Sequence, residues 1–546
     1  MSNALLAGVS GLQAHQTMLD VAGNNLANVN TSGFKTARVT FSELLSETLR
    51  EATQPTETTG GTNAQQVGSG VRVSAVDRNM TQGSMVQTGQ PLDMAIDGAG
   101  YFVLSDGEKN MYTRVGVFAV DADYYLVDPG TGYRVQRIGS EGLSEGFQGA
   151  SSNDIRIPYD VALAAKATET VRVTGNLSAN LSIPTTATLL SGTVYTAADM
   201  ASSVSTLLTD LDQVSGLAVG ETISITGAAR DGTAVNGTFT IAANSTIGDL
   251  IDAVTAAFPG STATLWNGQL KLTDNQAGYS QTDVTLEYNG AGTFELPDYF
   301  KIEQAGGQET RLANIEIFDS LGVAHNAAAA FTRTTEANTW DMVLMSVTGD
   351  VNVNDRRIKS ITFDNDGALA GMGGAVPDEL RFQVAFGFDP GNVRNIAVDM
   401  GTVGELDGLS QLGGGSTAVA SGQDGFESGY LSSISVSRDG VVIGMFTNGE
   451  RQNIAALQLA SFQNPAGLQT TGGGYFEASA NSGDAIPTKA LSGGAGAVSG
   501  GSLEKSNVDM ASEFVNLIQA QNGYQANART IRVANDMLRE LATLIR

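Results

Sequence analysis

The sequence predicts a multidomain chain: a terminal α-helical coiled-coil pair, mainly-β domains in a row, and a small inserted α+β module. Three observations carry that expectation. Apolar residues recur at heptad spacing at both extreme ends. The 66 glycines against 11 prolines, with abundant Thr, Ser, Asn and Val, describe strands joined by glycine turns. Strand-like alternation in 71–155 returns at 420–500, so the chain leaves one β-domain and comes back to it. A length of 546 residues is enough for several such domains.

The first element, residues 1–30, places Leu5, Leu12, Leu19 and Leu26 seven apart, with Gly8, His15, Ala22 and Val29 between them. That is the three-and-four spacing of a coiled-coil seam. Ser2 is the expected N-cap. Gly8, Gly11 and Gly23 each weaken the helix by roughly 1 kcal/mol relative to Ala, but they also let a neighbouring backbone come close. A helix of this composition needs a partner. Residues 31–70 read as a loose connector. Phe41, Leu44, Leu45 and Leu49 suggest a short helical or extended piece, and the polar stretch 54–62 reads as loop.

Residues 71–155 and 420–500 form the expected first β-domain. Its strands include Val71-Arg72-Val73, Tyr101-Phe102-Val103-Leu104 and Tyr133-Arg134-Val135. Val441 to Phe446 adds another after the turn Arg438-Asp439-Gly440. Residues 156–189 and 301–419 form a second β-domain. Residues 190–300 are an insertion of ββαββ order. Strands near Ile223–Ile225 and Phe239–Ile241 precede a helix capped by Thr246 to Asp249. The helix carries Ile247, Leu250, Ile251, Val254 and Phe258 on one face and is stopped by Pro259-Gly260. A hairpin turning at Asn267-Gly268 follows. A further helix is expected around Met200 to Val214.

The last element, 506–546, carries Phe514, Leu517, Gln521, Tyr524, Ala528, Ile531, Asn535, Leu538, Ala542 and Ile545 at the same heptad spacing. Ser506-Asn507-Val508-Asp509 supplies a capping signal. The bland alternative is an amphipathic helix packed on its own domain; heptads at both termini favour pairing instead. Large apolar side chains buried in such a seam contribute roughly 1.5–3 kcal/mol each. On that reading the ends are ordered only in a polymer, where this gain offsets the entropy of ordering them. The free subunit is then expected to have disordered ends and folded β-domains.

Composition narrows the chemistry. A formal charge of −27 repels phosphate backbones and anionic lipid, so no nucleic acid is expected as a partner. Without cysteine there is no disulfide, thiolate–metal or thiol chemistry. His15 and His325 are too few for a three-His metal site. Gly98-Ala99-Gly100 is half a dinucleotide fingerprint with Val103 and no helix behind it. Asp364-Asn365-Asp366-Gly367 opens like a calcium loop but lacks its closing Glu, which leaves a turn. Asp121 and Asp123 read as a hairpin tip, and Trp266 and Trp340 as hairpin or core residues. No catalytic, cofactor or metal residues are assigned, and an enzyme is not expected. No basic segment followed by an apolar run opens the chain, so no cleaved signal peptide is expected. No run of about 18 apolar residues suggests membrane insertion.

Two stretches carry a resemblance. Asn24-Asn25-Leu26-Ala27-Asn28-Val29-Asn30-Thr31-Ser32-Gly33-Phe34-Lys35 resembles the N-terminal signature of the flagellar rod and hook protein family. Ser506-Asn507-Val508-Asp509, with Gln519 to Asn527, resembles its C-terminal one. In the middle, Gly175-Asn176-Leu177, Phe318-Asp319-Ser320-Leu321-Gly322, Gly429-Tyr430-Leu431 and Asp439 to Gly449 are similar to segments of hook subunits. Residues 190–300 depart from short hook proteins, and Tyr124 stands where the family often has Asn or Gly in a turn.

The resemblance implies a structural subunit that polymerises with itself into the hook, a curved tubular universal joint passing torque from rod to filament. It implies export through the flagellar type III apparatus without a cleaved signal. It also implies assembly beneath a hook cap onto the distal rod, and contact with the hook–filament junction protein. The location implied is extracellular, in the basal body and hook of the flagellum. Two alternatives remain open at this point. One is a rod or hook–filament junction subunit, and the other is a secreted binding module.

Overall fold

The computed structural model describes residues 2–372 and 381–544, with the backbone alone for Ser2, Asn3 and Leu544. Among these residues three α-helices, α1 (Ser2–Ala27), α2 (Ile247–Ala257) and α3 (Met510–Leu544), stand in an otherwise β chain. The chain divides into two compact units, Met1–Leu163 with Gly429–Arg546, and Ala164–Ser428.

In the first unit α1 is followed by strands β1 (Ala37–Glu43), β2 (Ser46–Arg50), β3 (Gln65–Gly68) and β4 (Val71–Arg78). β1 pairs antiparallel with β4, and β2 with β3. The stretch expected as a loose connector is therefore a pair of ladders, and Val71-Arg72-Val73 belongs to them. The β-branched run Val39-Thr40 prefers the pleated backbone. Of the short helical or extended piece expected there the extended form is found, and Leu44, Leu45 and Leu49 stay exposed. The polar segment 54–62 is the tip, closed by a bridge between Thr53 and Thr62.

The β-domain of this unit is built from both halves of the chain. Leu459–Ser461 pairs with Tyr101–Ser105, and Tyr475–Glu477 with Asn110–Thr113. Tyr101, Val103, Tyr112, Phe462 and Phe476 form its core. Tyr112 meets Phe462 edge-on at 4.9 Å, a favoured aromatic geometry. Tyr124 takes φ +67°, the left-handed value that explains Asn or Gly at such a turn. The turn survives because Asp121 Oδ1 accepts from the N–H of Asp123 and of Tyr125.

In the second unit, strands Thr310–Phe318, Ala324–Arg333, Thr339–Val347 and Arg357–Phe363 form one antiparallel sheet. Its two faces enter two cores. Ala329, Phe331, Met342 and Leu344 face one, with the fully buried Trp340. Ala330, Val343 and Met345 face the other, which contains α2 and the strands of 188–304. This is why the strand from Trp340 to Val347 is almost continuously apolar: a sheet covered on both sides does not alternate.

α2 begins with a capping box in which Thr246 Oγ1 accepts from the Asp249 N–H and Asp249 Oδ2 accepts from the Thr246 N–H. Asn267 and Gly268 both have positive φ, the requirement of a two-residue hairpin. No α-helix forms at 200–214; the segment holds a two-residue strand and a 3-10 turn, Leu208–Asp210. The run Ser202-Ser203-Val204-Ser205-Thr206 is poor in helix formers, and burying Leu208 and Leu211 needs only one turn.

Candidate assembly surface

α1 and α3 pack together, and they run antiparallel. Gly8 lies against Ile531, Gly11 against Asn527, and His15 against Gly523. A Cβ on Gly8 would fall 2.8 Å from Ile531 Cγ1, and one on Gly11 would fall 2.7 Å from the Asn527 carboxamide. The glycines therefore permit the close approach that their helix propensity argues against. Ala14, Ala22, Gly8 and Gly11 are buried, whereas Leu5, Leu12, Leu19 and Leu26 are half-buried beside them. α1 also rests on β1 and β4, where Ser10 Oγ accepts from the Val71 N–H and the His15 ring sits 5.9 Å from Phe41.

On α3 the covered face is Glu513, Leu517, Ala520, Gly523, Asn527, Ile531 and Ala534. Leu517 and Ile531 of the heptad series lie on it. Phe514, Tyr524 and Leu538 do not, being 51%, 40% and 39% exposed, and Gln521 and Asn535 also face outward. Ile545 lies outside the described residues. The inner face is thus offset by one position over much of the helix, because a glycine on one helix receives a larger residue of the other: Ile531 on Gly8, Asn527 on Gly11 and His15 on Gly523. The bulky set is left outside: Phe514, Ile518, Val533, Met537 and Leu541 on α3, and Leu6 and Val9 on α1. Exposed large apolar side chains gathered at the two ends of one helix mark contact surfaces.

The family-like signatures lie where the helices join the β-domain. Asn25, 1% exposed, mimics a strand: its Nδ2 donates to Ala37 O at 2.8 Å and its Oδ1 accepts from the Ala37 N–H at 3.0 Å. Asn507 Oδ1 accepts from the Thr36 N–H, and its Nδ2 donates to Asn79 O and Thr81 O. Asn28 bridges Asn24 and Thr31, and Asn30 is exposed. Gly33 takes φ +68° and donates to Glu504 O; a Cβ there would lie 2.9 Å from the Arg114 backbone. Phe34 is half-buried and its carbonyl accepts from the Asn507 N–H.

Val508, half-buried, donates through its N–H to Ser506 Oγ. The residue before α3 is Asp509, whose carboxylate accepts from the Ala511 N–H and Ser512 Oγ. Asp509, not Ser506, is therefore the cap. The Ser512 hydroxyl, then the Ala511 N–H, hold its carboxyl below the usual carboxylate range.

Beneath this junction lies a buried ion cluster. Lys35 Nζ is 2.6 Å from Glu504 Oε1, Arg114 Nη1 is 3.2 Å from Glu504 Oε2, and all three side chains are at most 5% exposed. Glu504 Oε1 also accepts from the Gly83 N–H. Lys35 donates to Thr81 O, Arg114 donates to Gly98 O, and the guanidinium lies over the Tyr101 ring. Burial pushes the Lys35 ammonium below its ordinary range, and Glu504 opposes that. One carboxylate thus ties both chain ends to the β-domain. Glu504 and Arg114 escape sequence reasoning, although the lone cation in an otherwise neutral signature, Lys35, is the signal that an acid must meet it.

Elsewhere the candidate polar groups are occupied by structure. Asp364 Oδ1 accepts from the N–H of Asp366 and of Ala368, which is turn chemistry. His325 lies between Thr348 O and Asp319 Oδ2. Among the described residues no group of three or more His, Cys, Asp or Glu is placed to hold a metal, and no helix is long and apolar enough to cross a membrane.

Comparison with known proteins matches four family models in chain order. They are the flagella basal body rod protein at 5–35, the flagellar hook protein FlgE/F/G D1 domain at 95–188, the flagellar basal body protein FlaE D2 domain at 289–426, and the flagellar basal body rod FlgEFG protein C-terminal at 499–544. A solved structure, the Helicobacter pylori flagellar hook protein FlgE2, aligns at TM-score 0.40 and 18% identity, covering 76% of this chain and 98% of that one. The flagellar hook protein FlgE of Borreliella burgdorferi is 29% identical, and that of Treponema pallidum 32% identical, each over the whole of both chains. A paired set of terminal helices on a β-rich body, and end-to-end likeness at that identity, place the chain in one family: it belongs to the flagellar hook protein FlgE family.

Proposed function

We propose that this chain polymerises through its terminal helices into the hook, as a structural subunit without catalytic activity. One observation carries the reading: the bulky apolar face of α3 is left uncovered in a single chain while the small-residue face is paired. Burying Phe514, Ile518, Val533 and Leu541 between copies supplies the stability that α1, with three glycines in its length, lacks alone. The heptad residues Phe514, Tyr524 and Leu538 then serve contacts between copies, and Leu5, Leu12, Leu19, Leu26, Leu517 and Ile531 support the pair. The junction residues Asn25, Gly33, Asn507 and Asp509 fix how the pair leaves the β-domain.

The partners that fit this role are the distal rod, the hook cap, the hook–filament junction protein and the flagellar type III export apparatus, with the assembled tube outside the cell. The α+β segment within 190–300 acts as cover for the second face of the central sheet of its unit.

The test is assembly. Full-length protein is concentrated and examined by electron microscopy, beside a chain lacking 2–27 and 510–546. Tubes from the full chain and none from the trimmed one are expected. Normal tubes from the trimmed chain would defeat the proposal.

A further inference from the structure

The two helices differ in length, and the register turns that difference into a projection. With Gly8 opposite Ile531 in an antiparallel pair, α1 ends opposite position 537, and α3 continues to Leu544. The last two turns, roughly 10 Å of helix, project beyond α1 and carry exposed Leu538 and Leu541, with Met537 at their root. At the opposite end of the same pair lies a groove of about 960 Å³ between α1, α3, β1 and β4, lined among others by Met18, Val21, Val39 and Met80.

Four charged residues line this groove, Arg38, Asp77, Arg78 and Glu513, and Arg78 and Glu513 have neither a side-chain hydrogen bond nor an ion pair. Burial pushes the Arg78 guanidinium below its ordinary range, with no acid opposing it. Asp77 and Glu513 share the groove with Arg78 without pairing with it, and a half-buried cation that makes no ion pair is a costly arrangement that an acid arriving from a second copy relieves. The projecting turns carry Glu540 beside Arg539, one charge of each sign to meet Arg78 and Glu513.

We infer that the projecting end of α3 in one copy seats in the groove at the far end of the helix pair in the next copy, with Leu538 and Leu541 against Met18, Val21 and Met80, and Glu540 paired with Arg78. The contact uses different surfaces on the two partners, so it is heterologous and, where its rotation does not close a ring, generates a filament. Glu513 and Leu541 are separated by roughly 40 Å of helix axis, which sets the spacing between copies along one row. The inference rests on the polymer proposed above.

A cysteine-free chain makes the test clean. Leu541→Cys and Val21→Cys are introduced together and assembled protein is oxidised. Within one chain the two sites lie on the order of 35 Å apart, too far for a disulfide, so every bond joins two copies. The expected result is a ladder of covalent multimers. Each single variant gives nothing beyond a dimer. Tubes that form normally but yield no ladder would overturn this contact and leave the hook reading intact; a wild-type chain that forms no polymer would remove both.

Should the cysteine pair itself block assembly, a charge exchange decides. Arg78→Glu or Glu540→Arg alone raises the critical concentration for assembly about tenfold, and the two together restore it. Failure of the double variant to recover overturns the contact.

Discussion

Replacing Glu504 with alanine is the most informative single perturbation. Glu504 receives Lys35 at 2.6 Å, Arg114 at 3.2 Å and the Gly83 N–H at 2.8 Å, and its side chain is 0% exposed. Its removal leaves two cations in a dry site with no anion. Breaking a buried ion pair from one side costs about 3–5 kcal/mol, mostly as uncompensated charge. For a unit of this size each kcal/mol moves the melting temperature by about 2–4 °C. The transition of the unit containing Glu504 should therefore fall by on the order of 6–20 °C in scanning calorimetry, while that of Ala164–Ser428 stays in place. Lys35→Met should cost less, because Glu504 keeps Arg114 and removing one of two cations relieves their mutual repulsion. A Glu504→Ala loss below about 1 kcal/mol, or a loss smaller than that of Lys35→Met, would refute the view that this carboxylate holds the junction.

Three other outcomes are expected. Gly8→Val puts a Cβ 2.8 Å from Ile531 Cγ1 and should cost about 1–3 kcal/mol by overpacking, read as earlier loss of helical circular dichroism on heating and weaker assembly. Acid should destabilise the unit holding Asp319. Burial raises that carboxyl, but the Val323 N–H, His325 and the Leu321 N–H together bring it below its ordinary value of 3.8. Its folded pKa is depressed, so its contribution is complete above about pH 4 and is lost as pH falls through the lower folded value. Melting temperature should be level from neutral pH to about 5 and drop below about 4, with a shallower slope in Asp319→Asn. Amides of Met510–Leu544 should exchange rapidly in the free subunit and become protected in the polymer, as mass spectrometry of deuterium uptake reads; slow exchange in the free subunit would count against polymer-driven ordering.

What the sequence makes legible is what local chemistry determines. Thr246 and Asp249 cap α2 three residues apart, and Asn267-Gly268 turns a hairpin by backbone preference alone. Tyr124 does the opposite: a tyrosine does not announce a turn at positive φ, and the support from Asp121 shows only in the structure. The helix expected at 200–214 fails because Leu208 and Leu211 share one face at either helical or turn spacing, and hydroxyl-rich neighbours choose the turn.

The face of α3 is missed for a different reason. Heptad counting weighs bulk, whereas Gly8, Gly11 and Gly523 pack by smallness, so the tight face is set by where the glycines lie. Glu504 and Arg114 are illegible because Glu504 meets Lys35 and Arg114 only after the chain has returned, 469 residues separating Lys35 from Glu504.

That return has a consequence for the order of folding. Gly8 and Ile531 are the ends of a tether nearly as long as the chain. Closing it directly carries the entropy of the whole intervening polymer. Once the β-domain has folded and Lys35 has met Glu504, only short leashes, from Ala27 to Lys35 and from Glu504 to Met510, separate the two helices. Their mutual effective concentration then rises to that of neighbours on a short linker. The β-domain thus acts as the template on which the helices find each other. A lesion in its ion cluster should slow seam formation even when neither helix is altered.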